Sequence, residues 1–230
     1  MRRLILFDID GTILSTHGAA KRAFHKALLA VYGTAGPISG HPFDGKTDRQ
    51  IARELLRLAG LDDATITRAF DRLWTVYLRE LASELARPET RTQVYPGVVA
   101  LLDRLGRLQD DYLIGLLTGN IRPGATIKLS AVGLERHFRF GAFGSDSEHR
   151  DELPAVAVAR AQEISGRAFA GEEIVVIGDT PSDVTCGRAL GVRAIGVATG
   201  RHGTDELLAA GAWAAIPDLG DVERVLELLD

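Results

Sequence analysis

Leu4-Ile5-Leu6-Phe7-Asp8-Ile9-Asp10-Gly11-Thr12 is the stretch on which the reading of this chain turns. A run of apolar, β-favouring residues closes on a turn signal, the pattern of a buried strand. Side chains alternate along a strand, so Asp8 and Asp10 leave its carboxyl end on broadly the same side. Asp-Gly is also ordinary turn chemistry, and the pair could do no more than open a turn. Ionised carboxylates against an apolar strand are costly, however, unless a cation or hydrogen bonds compensate them.

Downstream, the pattern switches to helical spacing. Ala19 to Tyr32 reads as a helix ended by Gly33. A Gly/Pro-marked loop from Gly36 to Asp48 leads to a helix with Ile51, Leu55 and Leu58 on one face, and a third helix spans about Asp62 to Ala86 before Pro88. The remainder alternates. Apolar strands are expected at Tyr112 to Leu117, Phe138 to Phe143, Ile174 to Ile177 and Ala194 to Val197. Helices are expected from Pro96-Gly97 to Leu108, Pro123 to Val132, Pro154 to Ser165 and Pro181 to Leu190, with a helix, short strand and helix in the tail. Such alternation implies an α/β fold, a parallel sheet covered on both faces. Residues 15–92 form an all-helical insertion, leaving 1–14 and 93–230 as the α/β core.

The net charge of −4 gives no general pull toward nucleic acid or an acidic membrane surface. Cys186 is the single cysteine, which excludes an intrachain disulfide and a multi-cysteine metal site, and it reads as a small core residue. The six histidines show no ligand spacing and read as surface or local hydrogen-bonding groups. No apolar run reaches membrane-spanning length. Met1-Arg2-Arg3 before an apolar stretch has the look of a leader, but Asp8 and Asp10 interrupt it early. The expectation is a cytoplasmic protein, monomer or homodimer, with no nucleic-acid or membrane partner.

Ligands of open parallel sheets bind beyond the carboxyl ends of the strands, and right-handed crossovers bring those ends to one edge. Three strands here end in polar motifs: Asp8-x-Asp10, Thr118-Gly119-Asn120, and Gly178-Asp179-Thr180-Pro181-Ser182-Asp183. Converging carboxylates need a counterion, and hard oxygen ligands select Mg²⁺. Thr118 and Gly119 sit just before a helix, where a phosphate is readily held. Asp8 beside Mg²⁺ and facing such a cradle suggests phosphoryl transfer through an aspartyl-phosphate. Other roles stay open: Thr118-Gly119-Asn120 as a plain turn, and Thr180-x-x-Asp183 as a capping box behind Pro181.

These motifs, in this order, resemble those of the haloacid dehalogenase superfamily, specifically its phosphoglycolate-phosphatase-like branch. The resemblance spans nearly the whole chain. It implies a Rossmannoid core with a helical cap at 15–92, and a phosphatase acting on a small phosphorylated metabolite. Asp8 would be the nucleophile and Asp10 the acid and base. Mg²⁺ would be held by Asp8, the Asp10 backbone carbonyl and Asp179, with Asp183 supporting. Thr118, Gly119 and Asn120 would hold the phosphoryl group. The family's dehalogenases lack an aspartate at the position of Asp10, which argues against dehalogenation.

One motif departs from the pattern. The family's lysine before the helix-opening proline is absent from Ser145-Asp146-Ser147-Glu148-His149-Arg150-Asp151-Glu152-Leu153-Pro154, and Arg150 is the substitute. Lys128, mid-helix after the second motif, is not expected to reach the site. Lys46, in Phe43-Asp44-Gly45-Lys46-Thr47-Asp48, resembles a cap-loop residue that meets an anionic part of the substrate; the same segment is good helix-start chemistry. Alternatives are a phosphomutase, or a phospholigand-binding protein with weak or no turnover.

Overall fold

The computed structural model describes residues 3–230. Met1 and Arg2, which open the stretch weighed above as a leader, lie outside the described residues. The chain begins with β1 (Arg3–Phe7) and β2 (Leu14–Ser15), then α1 (Ala19–Tyr32), α2 (Asp48–Leu58), α3 (Asp63–Arg68) and α4 (Phe70–Leu85). It continues through β3 (Gln93–Val94), α5 (Val98–Arg107), β4 (Tyr112–Thr118), α6 (Arg122–Ser130), β5 (Gly141–Phe143) and α7 (Leu153–Ser165). Last come β6 (Ile174–Gly178), α8 (Pro181–Cys186), β7 (Arg193–Val197), α9 (Thr204–Ala209), β8 (Ala214–Ile216) and α10 (Val222–Leu229).

Six strands make one parallel sheet in the order β5-β4-β1-β6-β7-β8. Ile5 of β1 lies opposite Ile114 of β4 on one side and Val175 of β6 on the other. From β4 the winding runs outward to β5; from β6 it runs the other way to β7 and β8. The direction therefore reverses at β1, the position at which parallel sheets open a crevice beyond their strand ends.

Alternation along the central strands serves two cores. Ile5 and Phe7 of β1 join Val175 and Ile177 of β6 in a cluster with α5 and α10. Leu4 and Leu6 join Ile174 and Val176 in a second cluster, with α7. Each such side chain, fully buried, contributes ~1.5–3 kcal/mol. Both faces of the central strands are thus filled by apolar groups, and Asp8 and Asp179 stand just past their carboxyl ends.

Helices α1 to α4 gather their own buried cluster around Phe24, Leu28, Leu55, Leu73 and Tyr77, which Ile121 joins from the loop after β4. The antiparallel ribbon β2–β3, Leu14 opposite Val94, closes the point where the chain departs after β1 and returns. Three elements differ from expectation. The helix expected over 181–190 ends at Cys186, and Arg188–Leu190 form a separate 3-10 turn. The helix expected over 62–86 is divided at Ala69 into α3 and α4, with no glycine or proline to announce it; Ile66 and Phe70, one on each side of the break, both lie in the same cluster. The strand expected over 138–143 shortens to Gly141–Phe143, the residues that pair with β4. Among the described residues no helix is long and apolar enough to cross a membrane.

Candidate active site

Asp8 follows β1 directly and is buried, as are Asp179 after β6 and Asp183 in the first turn of α8. One carboxylate oxygen from each lies within 4.8 Å of the other two. Burial pushes the carboxyl of Asp8 well above its ordinary range; Arg150 pulls it back, while Asp183 and Asp10 push it further up. Burial, then Asp183 and Asp8, drive Asp179 upward as well. Asp179 is received by the Thr12 hydroxyl, which donates to its Oδ1 at 3.2 Å. It also presses on Gly11, at φ 86°, where a Cβ would stand 2.2 Å from its Oδ2. Only glycine is compatible with that turn.

Asp183 has a structural task too. Its Oδ2 accepts from the Thr180 backbone N–H at 3.0 Å and hydroxyl at 2.7 Å, the capping box the spacing suggests. Its Oδ1 accepts from Arg150 Nη2. Arg150 is buried, not a solvated loop side chain, and the same Nη2 lies 3.5 Å from Asp8 Oδ1. Burial works against its charge, but Asp183 and Asp8 outweigh it and hold the guanidinium protonated. Cys186 is a buried core residue as expected; burial pushes its thiol up to about 12.

Asp10 stands apart from the carboxylate cluster, with its side chain 43% exposed. Asn120 Nδ2 donates to Asp10 Oδ2 at 2.7 Å and to Thr118 Oγ1 at 2.8 Å. Lys128 corrects the expectation that it would not reach: its Nζ donates to Asp10 Oδ2 at 2.6 Å and to Asn120 Oδ1 at 2.6 Å. Helix α6 carries Lys128 one turn beyond Gly124, which faces Tyr77 and Leu78 of α4. Periodicity places Lys128 on that face but does not say what faces it.

These groups line a cavity of about 440 Å³. Its walls include Asp8, Asp10, Thr118, Gly119, Asn120, Arg150 and Asp179 on the sheet side, and Lys21, His41, Phe43 and Lys46 on the side of the helices. Thr47 caps α2, its hydroxyl accepting from Gln50 N–H, so the helix-start reading of that segment holds. The same hydroxyl donates to the Glu148 carbonyl at 2.7 Å. Asp48 N–H donates to the Gly119 carbonyl at 2.8 Å, and Asp48 Oδ2 accepts from Ile121 N–H at 2.8 Å. Gly119 is needed for this approach: a Cβ there would lie 2.0 Å from the Lys46 carbonyl oxygen. Lys46 Nζ is held by Glu54, whose Oε2 is also 2.9 Å from Nε2 of His41, a local polar contact of the kind expected for the histidines. Asp48 did not stand out in the sequence beyond its helix-start chemistry, and Thr12, part of the first motif, gave no sign of its bond to Asp179.

The carboxylate cluster suits a hard divalent cation. All its donors are oxygen, two of the three carboxyls are crowded into a disfavoured charged state, and Arg150 is the one cation touching them among the described residues.

The family model for haloacid dehalogenase-like hydrolases matches residues 5–188. The chain belongs to this family. Probable phosphatase IndB of Dickeya dadantii is 26% identical to this hydrolase over 96% of its chain and 92% of that protein. Phosphoglycolate phosphatase 1 of Pseudomonas aeruginosa is 26% identical over 87% of the chain and 71% of that protein. The crystal structure of a hydrolase from Pseudomonas syringae superposes with a TM-score of 0.73 over 99% of both chains at 22% identity, a likeness of fold. The helices between β1 and β4 and the reversal at β1 are thus features of a haloacid dehalogenase-like fold.

Proposed function

We propose that this hydrolase is a Mg²⁺-dependent phosphatase that cleaves a small phosphomonoester, with residues 15–92 acting as a cap over the core formed by 1–14 and 93–230. The observation that carries the reading is the position of Asp8: at the switch point of the sheet, in the cavity wall, beside one guanidinium and two further carboxylates. The names of the two relatives point the same way.

In this reading an Asp8 carboxylate oxygen attacks phosphorus and the ester P–O bond breaks, while Asp10 gives its proton to the departing alkoxide. Asp10 then takes a proton from water, the water oxygen bonds to phosphorus, and the bond from phosphorus to Asp8 breaks to release phosphate. Thr118, Gly119 and Asn120 border the phosphoryl position, and Arg150 pairs its charge with Asp8. Asp8, the Asp10 carbonyl and Asp179, supported by Asp183, are the groups that would hold Mg²⁺. Bound there, the ion neutralises charge gathering on the phosphoryl oxygens. Lys46 is the candidate for a second anionic group on the substrate, reached by exchanging Glu54 for the ligand.

Phosphate release from a panel of phosphorylated metabolites, with and without Mg²⁺, tests the reading. Mg²⁺-dependent release is expected, with carboxylated or doubly phosphorylated esters ranked first. Release that survives complete chelation would remove the metal, and simple alkyl phosphates ranking level with the anionic ones would remove Lys46 from its role. Phosphate recovered on a second hydroxyl of the same compound would indicate a mutase.

Binding of metal has its own readout. Saturating Mg²⁺ at ~100 times its dissociation constant should stabilise the wild-type fold by ~2.7 kcal/mol. In Asp179→Asn the crowding charge is gone, so the metal-free protein should melt at or above the wild-type temperature and gain nothing from Mg²⁺. A mutant that keeps the wild-type Mg²⁺ response would take Asp179 out of the metal site.

A further inference from the structure

Of the four lysines in the sequence, Lys128 is the buried one, 3% exposed. A buried ammonium needs partners, and two of its N–H groups have them at 2.6 Å: Asp10 Oδ2 and Asn120 Oδ1. Asn120 completes the arrangement, because its Nδ2 donates to that same Asp10 oxygen at 2.7 Å. Asp48, also buried, feels the ammonium charge and is anchored separately by Ile121 N–H. Both donors therefore meet Asp10 at Oδ2, and no donor among the described residues reaches Oδ1.

We propose that Lys128 and Asn120 are positioning residues that lock the Asp10 carboxyl through Oδ2, so that Oδ1 alone carries the proton exchanged with the substrate. The proposal rests on the phosphatase reading above, in which Asp10 is acid and then base. A protonated carboxyl has one hydroxyl and one carbonyl oxygen. With two N–H donors fixed on Oδ2, that atom is the acceptor, and the proton is left on Oδ1. As the ester P–O bond breaks, this proton passes to the leaving oxygen; Oδ1 later recovers one from the attacking water. Charge-assisted hydrogen bonds are short and directional, which is what fixing a rotamer requires. Asn120, expected as a phosphate ligand, is in this account chiefly a brace for Asp10.

A lysine that merely pinned α6 to the core would be indifferent to the leaving group. A brace for the general acid is not: an alkoxide needs the proton, whereas p-nitrophenolate leaves unaided as a stable anion. The quantity to compare is kcat/KM, which reports the steps up to departure of the first product. It is measured for p-nitrophenyl phosphate and for phosphoglycolate, or for whichever alkyl ester the panel ranks higher. The proteins are wild type, Lys128→Met, Lys128→Arg and Asn120→Ala, with melting temperatures alongside. In Lys128→Met the alkyl value should fall ~10²-fold, at least ~10-fold more than the aryl value, the range in which general acid catalysis acts. Lys128→Arg should recover part of the alkyl rate. Asn120→Ala should show the same selective loss, and it carries the test should Lys128→Met fail to fold.

Equal losses on both esters in Lys128→Met and Asn120→Ala would overturn the proposal and return Asn120 to phosphate binding. Failure of the parent reading looks different, since wild type would then release phosphate from neither ester, or Asp8→Asn would still release it.

Discussion

Asp8→Asn should lower turnover of every phosphomonoester by ~10⁴-fold or more, the scale on which the loss of a covalent nucleophile acts. The amide keeps the shape of the carboxyl but has no charged oxygen to attack phosphorus. Loss of fold would not account for the result. Burial and two neighbouring carboxylates already disfavour the charge at this position, so an uncharged side chain relieves repulsion there. Arg150 keeps Asp183 as its partner. The mutant should therefore melt at or above the wild-type temperature while being inactive. Mass spectrometry of acid-quenched wild type should find a phosphoryl group on the peptide containing Asp8. Turnover close to wild type in Asp8→Asn, or phosphate on a different residue, would remove the mechanism.

Arg150→Ala should do damage of two kinds. Among the described residues the guanidinium is the one cation against a cluster of buried carboxylates, bonded to Asp183 and 3.5 Å from Asp8. Deleting one partner of a buried ion pair leaves the other uncompensated, at a cost of ~3–5 kcal/mol. The rate should fall as well, by ~10²–10³-fold, the scale for removal of one electrostatic donor beside a transferring group. Mg²⁺ separates the two effects, because it restores positive charge to the cluster and should recover melting temperature without recovering the rate. Arg150→Lys should keep more of the fold than of the activity, since a single ammonium cannot reproduce the guanidinium's fork of donors. A wild-type rate in Arg150→Ala would transfer the role to another cation.

The parts legible beforehand were those written locally. β1, β4 and β6 announce themselves as apolar runs, and their ends at Asp8, Thr118 and Gly178-Asp179 reach one edge because parallel crossovers leave little choice. The capping box at Thr180 and Asp183 was equally local. What escaped depends on residues distant in sequence. Lys128 is ordinary in its own helix, and only Asp10, far back along the chain, brings it into the candidate site. The break at Ala69 carries no helix-breaking residue, and the i, i+4 spacing of Ile66 and Phe70 would suit an unbroken helix, so nothing local announces it. Arg150 was singled out by position in the motif, but its bond to Asp183 needed the fold.

The contact between Asp48 and the loop after β4 has a consequence for how this enzyme could be rebuilt. The Lys46 carbonyl rests where any side chain on Gly119 would be, and Asp48 grips that loop on both sides of Asn120, through the Gly119 carbonyl and the Ile121 N–H. If the helices select the alcohol, as proposed, they also form part of the mould for the loop beneath them. Grafting the helical segment of a relative onto this sheet would exchange more than the choice of substrate. Unless the graft brought a carbonyl and a carboxylate to the same two places, the loop would lose its shape, and both specificity and rate would go with it.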